Sequence, residues 1–188
     1  MKNINQEELN KILKEHELWL KGEGGKRADL SNVDLSNVDL SNVDLRYADL
    51  RYADLSNTDL SNTDLSNTDL SNIKINYRTL GYHLACPEEG SFIGYKKANE
   101  HLIKLLILED SKRSSATTLK CRCDKAKVLS ITNIKTGKEI SEIVSDYDKN
   151  FIYKIGKIVE VKDFDEDRWN ECSTGIHFFI NKESAINY

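Results

Sequence analysis

The chain has 188 residues, which suits one or two domains, with 39% hydrophobic and 31% charged residues and a formal net charge of −4. No apolar run approaches the roughly 20 residues of a membrane-spanning helix, which excludes a helical membrane anchor within this sequence. The charge is uneven: residues 28–72 carry nine Asp against Arg46 and Arg51, a net −7, while the remainder is +3. That sign disfavours direct docking of residues 28–72 on nucleic acid, where affinity comes from neutralising phosphates.

Residues 1–7 do not read as a signal peptide, and four cysteines without one lead to the expectation of reduced thiols in a cytoplasmic protein. Asn5 and Glu8 have the spacing of a capping box. Leu9, Ile12, Leu13, His16, Trp19 and Leu20 then recur at helical spacing. Gly22, Gly24 and Gly25 end the run. An amphipathic helix over residues 5–20 is predicted, with His16 packed and hydrogen-bonded on its apolar stripe rather than serving as a ligand.

Nine consecutive five-residue units follow, over residues 28–72. Leu holds the centre of every unit, Asp precedes it, and a small or β-branched residue stands two before it. A period of five fits neither a helix nor a strand. Each unit has too little apolar surface to fold alone, so stacked coils must share one core. The pattern resembles the pentapeptide-repeat family. The resemblance implies a mainly β architecture: a right-handed, four-sided β-helix with one unit per side and four per coil, about two and a half coils in all. On that geometry Leu30 stacks under Leu50 and Leu70, and Leu35 under Leu55 and Ile75. Ser-Asn pairs suit the corners, because Asn tolerates left-handed φ.

Residues 73–77 look like a degenerate tenth unit, after which Arg78 breaks the pattern at an inward position. Open ends expose core and unpaired backbone. The N-terminal helix is therefore expected to cap the first coil. The far end, near Ile73, Ile75 and Leu80, needs the C-terminal domain or a second chain, and a homodimer through Ile73 and Ile75 is one expectation. The Asp rows read as a solvated face. Two corners depart from Ser-Asn, Arg46-Tyr47 and Arg51-Tyr52, and these four residues are the candidate binding surface of the repeats, since Arg and Tyr are enriched at hot spots. Some pentapeptide-repeat proteins imitate duplex DNA and engage type II topoisomerases. Two and a half coils at roughly 4.8 Å spacing stand only about 12 Å tall, three or four base pairs of phosphate charge.

Pro87 marks a boundary, and the sequence divides into a cap and glycine linker (1–27), the repeats (28–80), a linker (81–90) and a C-terminal α+β domain (91–188). Strands are predicted at 92–96, 102–108, 126–132, 151–154, 157–161 and 175–180, with short helices near 165–170 and 182–187. The stretch Lys120-Cys121-Arg122-Cys123-Asp124-Lys125-Ala126-Lys127-Val128-Leu129, the Tyr153-Lys154-Ile155-Gly156 segment and Glu171-Cys172-Ser173-Thr174-Gly175-Ile176-His177-Phe178-Phe179 resemble an uncharacterised domain. That domain recurs in bacteriophage and prophage proteins, often behind pentapeptide repeats, and the N-terminal helix is similar to their leader. The resemblance implies a context and no activity.

Chemistry in this domain has few candidates. Cys121, Cys123, Cys172 and His177 could form a zinc site, although Cys-x-Cys is a poor match to the usual knuckle spacing. Cys172 with His177 could form a nucleophile pair, but His177 reads as buried in a two-faced strand. Asp163, Asp165 and Asp167 alternate like the start of a calcium loop, which Arg168 and Thr174 then spoil. The basic run from Lys112 to Lys127 is the candidate nucleic-acid contact, without aromatics interleaved for stacking. The expectation is a non-catalytic interaction or scaffold module without a cofactor. It would have a protein partner, with the repeats as stalk and the C-terminal domain as head, where His177 is the candidate binding residue. A topoisomerase-directed DNA mimic and a metal-binding or enzymatic head are the alternatives.

Overall fold

Every fifth residue from Asn32 to Asn72 has a left-handed backbone, with φ between 56° and 65°, in the computed structural model, which describes residues 1–188. The Asp three residues before each of these positions fixes the bend. In all nine units its Oδ1 accepts the N–H of the residue two further on, at 2.8–3.1 Å. This is an Asx turn, which closes the corner with a side chain in place of a backbone carbonyl. Between corners the chain is extended, and parallel bridges join residues twenty apart: Asp29 to Asp49 to Asp69, Asp34 to Asp54 to Lys74, and Asp44 to Asp64. Four units thus separate paired residues, as the resemblance implies.

The leucines point inward and are sealed: Leu30, Leu35, Leu40, Leu45, Leu50, Leu55 and Leu60 expose nothing to solvent. Beside them stand Ala28, Val33, Ala48 and Ala53, also buried, and then Thr58 and Thr63. The change from Val to Thr along the stack has a physical reason. The Thr58, Thr63 and Thr68 hydroxyls donate to the carbonyls of Leu35, Leu40 and Leu45 in the preceding coil, at 2.6–2.8 Å. Val38 and Val43, one coil earlier, have no such coil to donate to, and a buried hydroxyl without a partner is costly.

The helix α1 (Gln6–Leu20) starts with the predicted capping box on Asn5 and Glu8. Leu9 and His16 are buried, and His16 Nδ1 accepts the Ala28 N–H at 3.1 Å, which ties the helix to the first coil. A two-residue strand β1 (Lys2–Asn3) pairs in parallel with β2 (Val33–Asp34), so the first coil's edge on that side is hydrogen-bonded. At the other end one extra residue enters the third coil: Asp59 pairs with Leu80, twenty-one residues on. Arg78 therefore escapes the inward position assigned to it by strict repetition. Thr79 takes it instead, fully buried, with its hydroxyl on the Leu55 carbonyl at 2.8 Å. Leu80 shifts to an outward position and Gly81 falls where a leucine would. There φ is +73° and an added Cβ would lie 2.7 Å from the Leu60 backbone.

Two compact units result: Met1–His83 with Ala116–Thr118, and Leu84–Ser115 with Leu119–Tyr188. The three residues Ala116–Thr118 belong to the repeat unit because they pair with its last coil. Asn62 N–H donates to the Thr117 carbonyl at 3.2 Å, and the Thr117 hydroxyl donates to the Thr63 carbonyl at 2.5 Å.

The second unit is antiparallel. Strands β3 (Phe92–Ala98), β4 (His101–Ile107), β5 (Arg113–Ser115), β6 (Cys121–Cys123), β7 (Lys125–Asn133), β8 (Glu142–Val144), β9 (Ile152–Lys154), β10 (Ile158–Glu160) and β11 (Ile176–Phe178) precede the short helix α2 (Lys182–Asn187). They form a four-stranded sheet in the order β10-β7-β4-β3, a three-stranded sheet β11-β6-β5 and the hairpin β8-β9. Ile103, Leu105, Ile107, Val128, Ile131, Cys121, Cys123 and Phe178 make the common core. The helix predicted near 165–170 does not form. Asp165 and Asp167 each accept the N–H two residues on, and the carbonyls of both are taken by the Arg122 guanidinium at 2.8–2.9 Å. Local Asx bonds of this kind compete with a helix. No helix of the chain is long and apolar enough to cross a membrane.

Replacing Leu50 by Asp would bury an unpaired carboxylate midway along the stack. It should destabilise the repeat unit by more than about 4 kcal/mol. Hydrogen exchange should show the coil amides unprotected; wild-type protection would mean that Leu50 does not face the core.

Candidate functional site

On the repeats, Tyr47 and Tyr52 occupy successive left-handed corners, with φ of 65° and 61°. Their side chains are 47% and 52% exposed. The arginines beside them, though half-exposed, are committed to the stack's own charges. Arg46 makes a forked pair with Asp44 at 2.7–3.0 Å and reaches Asp64, one coil on, at 3.6 Å. Arg51 does the same with Asp49 and Asp69. On a third side Lys74 binds Asp54 at 2.6 Å. Stacked carboxylates repel, and each of these cations offsets one charge of such a column. The reading of the Asp rows as a purely solvated face is corrected accordingly: one oxygen of each Asp holds a turn, and Asp49 and Asp54 are buried.

In the second unit, strand register decides the cysteine question. Ile176 pairs with Cys123, His177 with Arg122, and Phe178 with Cys121. Directly paired residues share a sheet face. Both thiols of the Cys-x-Cys pair therefore enter the core with Ile176 and Phe178, and His177 with Arg122 occupies the opposite face. Cys121 hydrogen-bonds with Cys86, and this bond with burial pushes the Cys121 thiol up; burial does the same to Cys123. Cys121, Cys123, Cys172 and His177 do not converge, and no cluster of three or more His, Cys, Asp or Glu side chains could hold a metal ion.

The face with His177 opens on a cleft of about 540 Å³. Burial lowers the His177 pKa to about 4, and Lys120, Lys96 and Arg122 push it the same way. Its Nε2 lies 3.0 Å from the Ser173 carbonyl, which can only accept, so Nε2 carries the proton. Arg122, 1% exposed, supports the cleft: it donates to the carbonyls of Asp165, Asp167 and Thr174 and lies over the Phe164 ring. Lys120, 5% exposed, pairs with Glu171 at 3.4 Å and points at Cys172 Sγ at 3.6 Å and Tyr188 Oη at 3.3 Å. Burial disfavours its ammonium, but Glu171 and the Tyr188 hydroxyl outweigh this and raise its pKa. The basic run read as a nucleic-acid contact is corrected here, since Lys120 and Arg122 are interior and Lys125 is held by Asp110.

Lys96 escaped the sequence reading. It lies on the buried face of β3 between Gly94 and Ala98, and is 9% exposed. Gly94 has no Cβ because one would stand 2.6 Å from the Phe178 ring. Burial lowers the Lys96 pKa, with Asp146 acting against it. Both Asp146 oxygens accept the Asn99 N–H, so Asp146 acts on Lys96 without a hydrogen bond, and the ammonium lies 5.9 Å from the centre of the Tyr147 ring.

The fold and cleft define a mainly β protein that joins a short pentapeptide stack to an antiparallel unit. The chain belongs to a family of unknown function, DUF5758, whose model matches residues 82–185. Pentapeptide repeats match over residues 26–62 and 39–76, in eight copies. No curated protein matches the chain. A solved structure, the pentapeptide repeat protein Rfr23 from the cyanobacterium Cyanothece 51142, is 25% identical over 28% of this chain and 43% of its own, with a TM-score of 0.15. The chain thus spans less than half the length of that protein.

A left-handed tyrosine is strained where asparagine is tolerated. Tyr52→Asn should therefore stabilise the repeat unit by about 1 kcal/mol, seen as a higher thermal midpoint; an unchanged or lower midpoint would show that the ring contributes packing. His177 has a folded pKa of about 4 against 6.5 unfolded, so the unfolded state binds more protons between those values. Its stabilising contribution is complete above pH 6.5 and is lost as pH falls towards 4. The loss should be up to about 2 kcal/mol, given the residue's partial exposure. Hydrogen exchange of β11 across this range should show it, and His177→Gln should flatten the dependence.

Proposed function

We propose that the chain is a non-catalytic scaffold and recognition protein. The repeat stack, as a right-handed four-sided β-helix closed by α1, is the rigid stalk, and the second unit is the recognition head for a protein partner. The observation that carries this reading is the cleft beside His177, whose groups suit binding rather than proton transfer. His177 commits its proton to the Ser173 carbonyl, and Cys172 lies against Lys120. Cys172 is hydrogen-bonded to the Lys120 ammonium and not to the His177 ring, so the thiol and a base are not joined as a nucleophile pair requires.

The DNA-mimic alternative has less support. All nine Asp of the repeats hold turns, and Arg46, Arg51 and Lys74 each offset one carboxylate in three of the columns. An end-to-end dimer through Ile73 and Ile75 would lengthen the rod and is part of that alternative. The phage or prophage setting and the cytoplasmic location rest on the sequence resemblance and on the unpaired thiols.

Affinity capture from bacterial lysate tests the proposal, using the full chain, a Tyr47→Asn/Tyr52→Asn variant and Cys172→Trp, which fills the cleft. Retention of a partner by the corner variant and its loss with Cys172→Trp is the expected result. The reverse pattern would place recognition on the repeats, and recovery of topoisomerase subunits would favour the mimic. Absence of any partner above background would defeat the reading.

A further inference from the structure

The least explained group in the second unit is the Lys96 ammonium. The residue is 9% exposed and lines the cleft; its ammonium opens onto the cleft and makes no hydrogen bond or ion pair of its own, with Asp146 acting on it only from a distance. A lysine whose stem is enclosed while its charge is turned, unpartnered, into a cleft is a candidate binding position. Two cations, Lys96 and Lys120, line the cleft together with the His177 ring. Two largely exposed rings stand beside these cations: Tyr188, whose hydroxyl is 3.3 Å from Lys120 Nζ, and Tyr147, whose ring is 5.9 Å from Lys96 Nζ. Asp148, Glu160 and Asp163 also line the cleft. The volume lies within the range of small-molecule sites, roughly 300–1,000 Å³.

We propose that this cleft binds a small organic ligand with one terminal oxyanion, a carboxylate or a phosphate monoester, on a planar apolar body. The oxyanion is held by Lys96 and Lys120, and the planar part lies beside the rings of Tyr147 and Tyr188. The lining acids select against polyanions: a nucleic-acid strand or a polyphosphate would meet Asp148, Glu160 and Asp163. A single oxyanion supplies the acceptor that Lys96 lacks. Lys120 already has Glu171, so it contributes attraction, and Lys96 contributes most of the discrimination between charged and neutral ligands. The inference deepens the recognition reading of the second unit and rests on it. Partner capture that fails while small anions bind would defeat the protein-partner reading alone.

The test is titration of the full chain with benzoate, its neutral analogue benzamide and inorganic phosphate, followed by calorimetry and by amide chemical shifts. Benzoate should bind saturably, shifting residues 145–148 and 173–177, with phosphate weaker because it lacks the planar body. Benzamide should bind about tenfold or more weakly, the worth of one hydrogen bond to a charged group. Lys96→Met should reduce benzoate affinity by a similar factor while leaving the thermal midpoint equal or higher, because the enclosed stem is replaced by one of similar size and no hydrogen bond or ion pair is lost. Absence of saturable binding by either anion would overturn the proposal. So would equal binding of benzoate and benzamide, or Lys96→Met that melts lower and binds benzoate unchanged, which would make Lys96 a structural residue. The benzoate–benzamide comparison stands on the wild-type chain, so it decides the matter even if the variant does not fold.

Discussion

The bond from each Asp Oδ1 to the N–H two residues on is the constraint on which the repeat unit depends. A chain that turns every fifth residue must bend sharply and leave few backbone groups unpaired, and a short carboxylate does both at once. With that bond in place, the left-handed residue that follows completes the corner. The intervening segment can then extend and pair with the next coil. Leucine at the centre of each unit supplies the burial, but leucine alone would not set a spacing of twenty. The acidity of the stretch is thus first a consequence of turn chemistry, and its charge has to be managed afterwards. Arg46, Arg51 and Lys74 manage it, each reaching into a column of stacked carboxylates.

Much of this was legible in the sequence, because each unit repeats one solution and the pattern accumulates over nine copies. The leucine register and the capping box on Asn5 follow from periods and spacings alone. What periodicity concealed was its own interruption. One extra residue near Tyr77 moves Arg78 out and Thr79 in, and no local rule announces an insertion of one. The roles of Arg46 and Arg51 were equally hidden, since their second carboxylates, Asp64 and Asp69, are eighteen residues distant and adjacent only after stacking.

The second unit was legible at the level of strands and opaque at the level of faces. Alternation places Cys121 and Cys123 on one side of β6, but only the pairing of His177 with Arg122 reveals that the histidine faces the other way. Lys96 illustrates the same difficulty. Nothing in the sequence sets Lys96 apart from the other lysines; only the fold brings the Phe178 ring over Gly94 and encloses that side of β3. Arg122, part of the basic run, instead organises the loop from Asp165 to Thr174, a task that requires carbonyls 43 to 52 residues downstream.

The pairing of Thr117 with Asn62 and Thr63 bears on how the chain reaches its native state. Contacts within the coils span about twenty residues, so most of the stack can zip as it is made. This last contact spans more than fifty, and closing so long a loop carries an entropic penalty that is met late. Until residues 84–115 have emerged and returned, the final coil keeps an open edge at Asn62, the kind of edge that templates misassociation. The family boundary between residues 76 and 82 is therefore not a place to divide the molecule. A fragment ending there would lack the three residues that finish its own sheet.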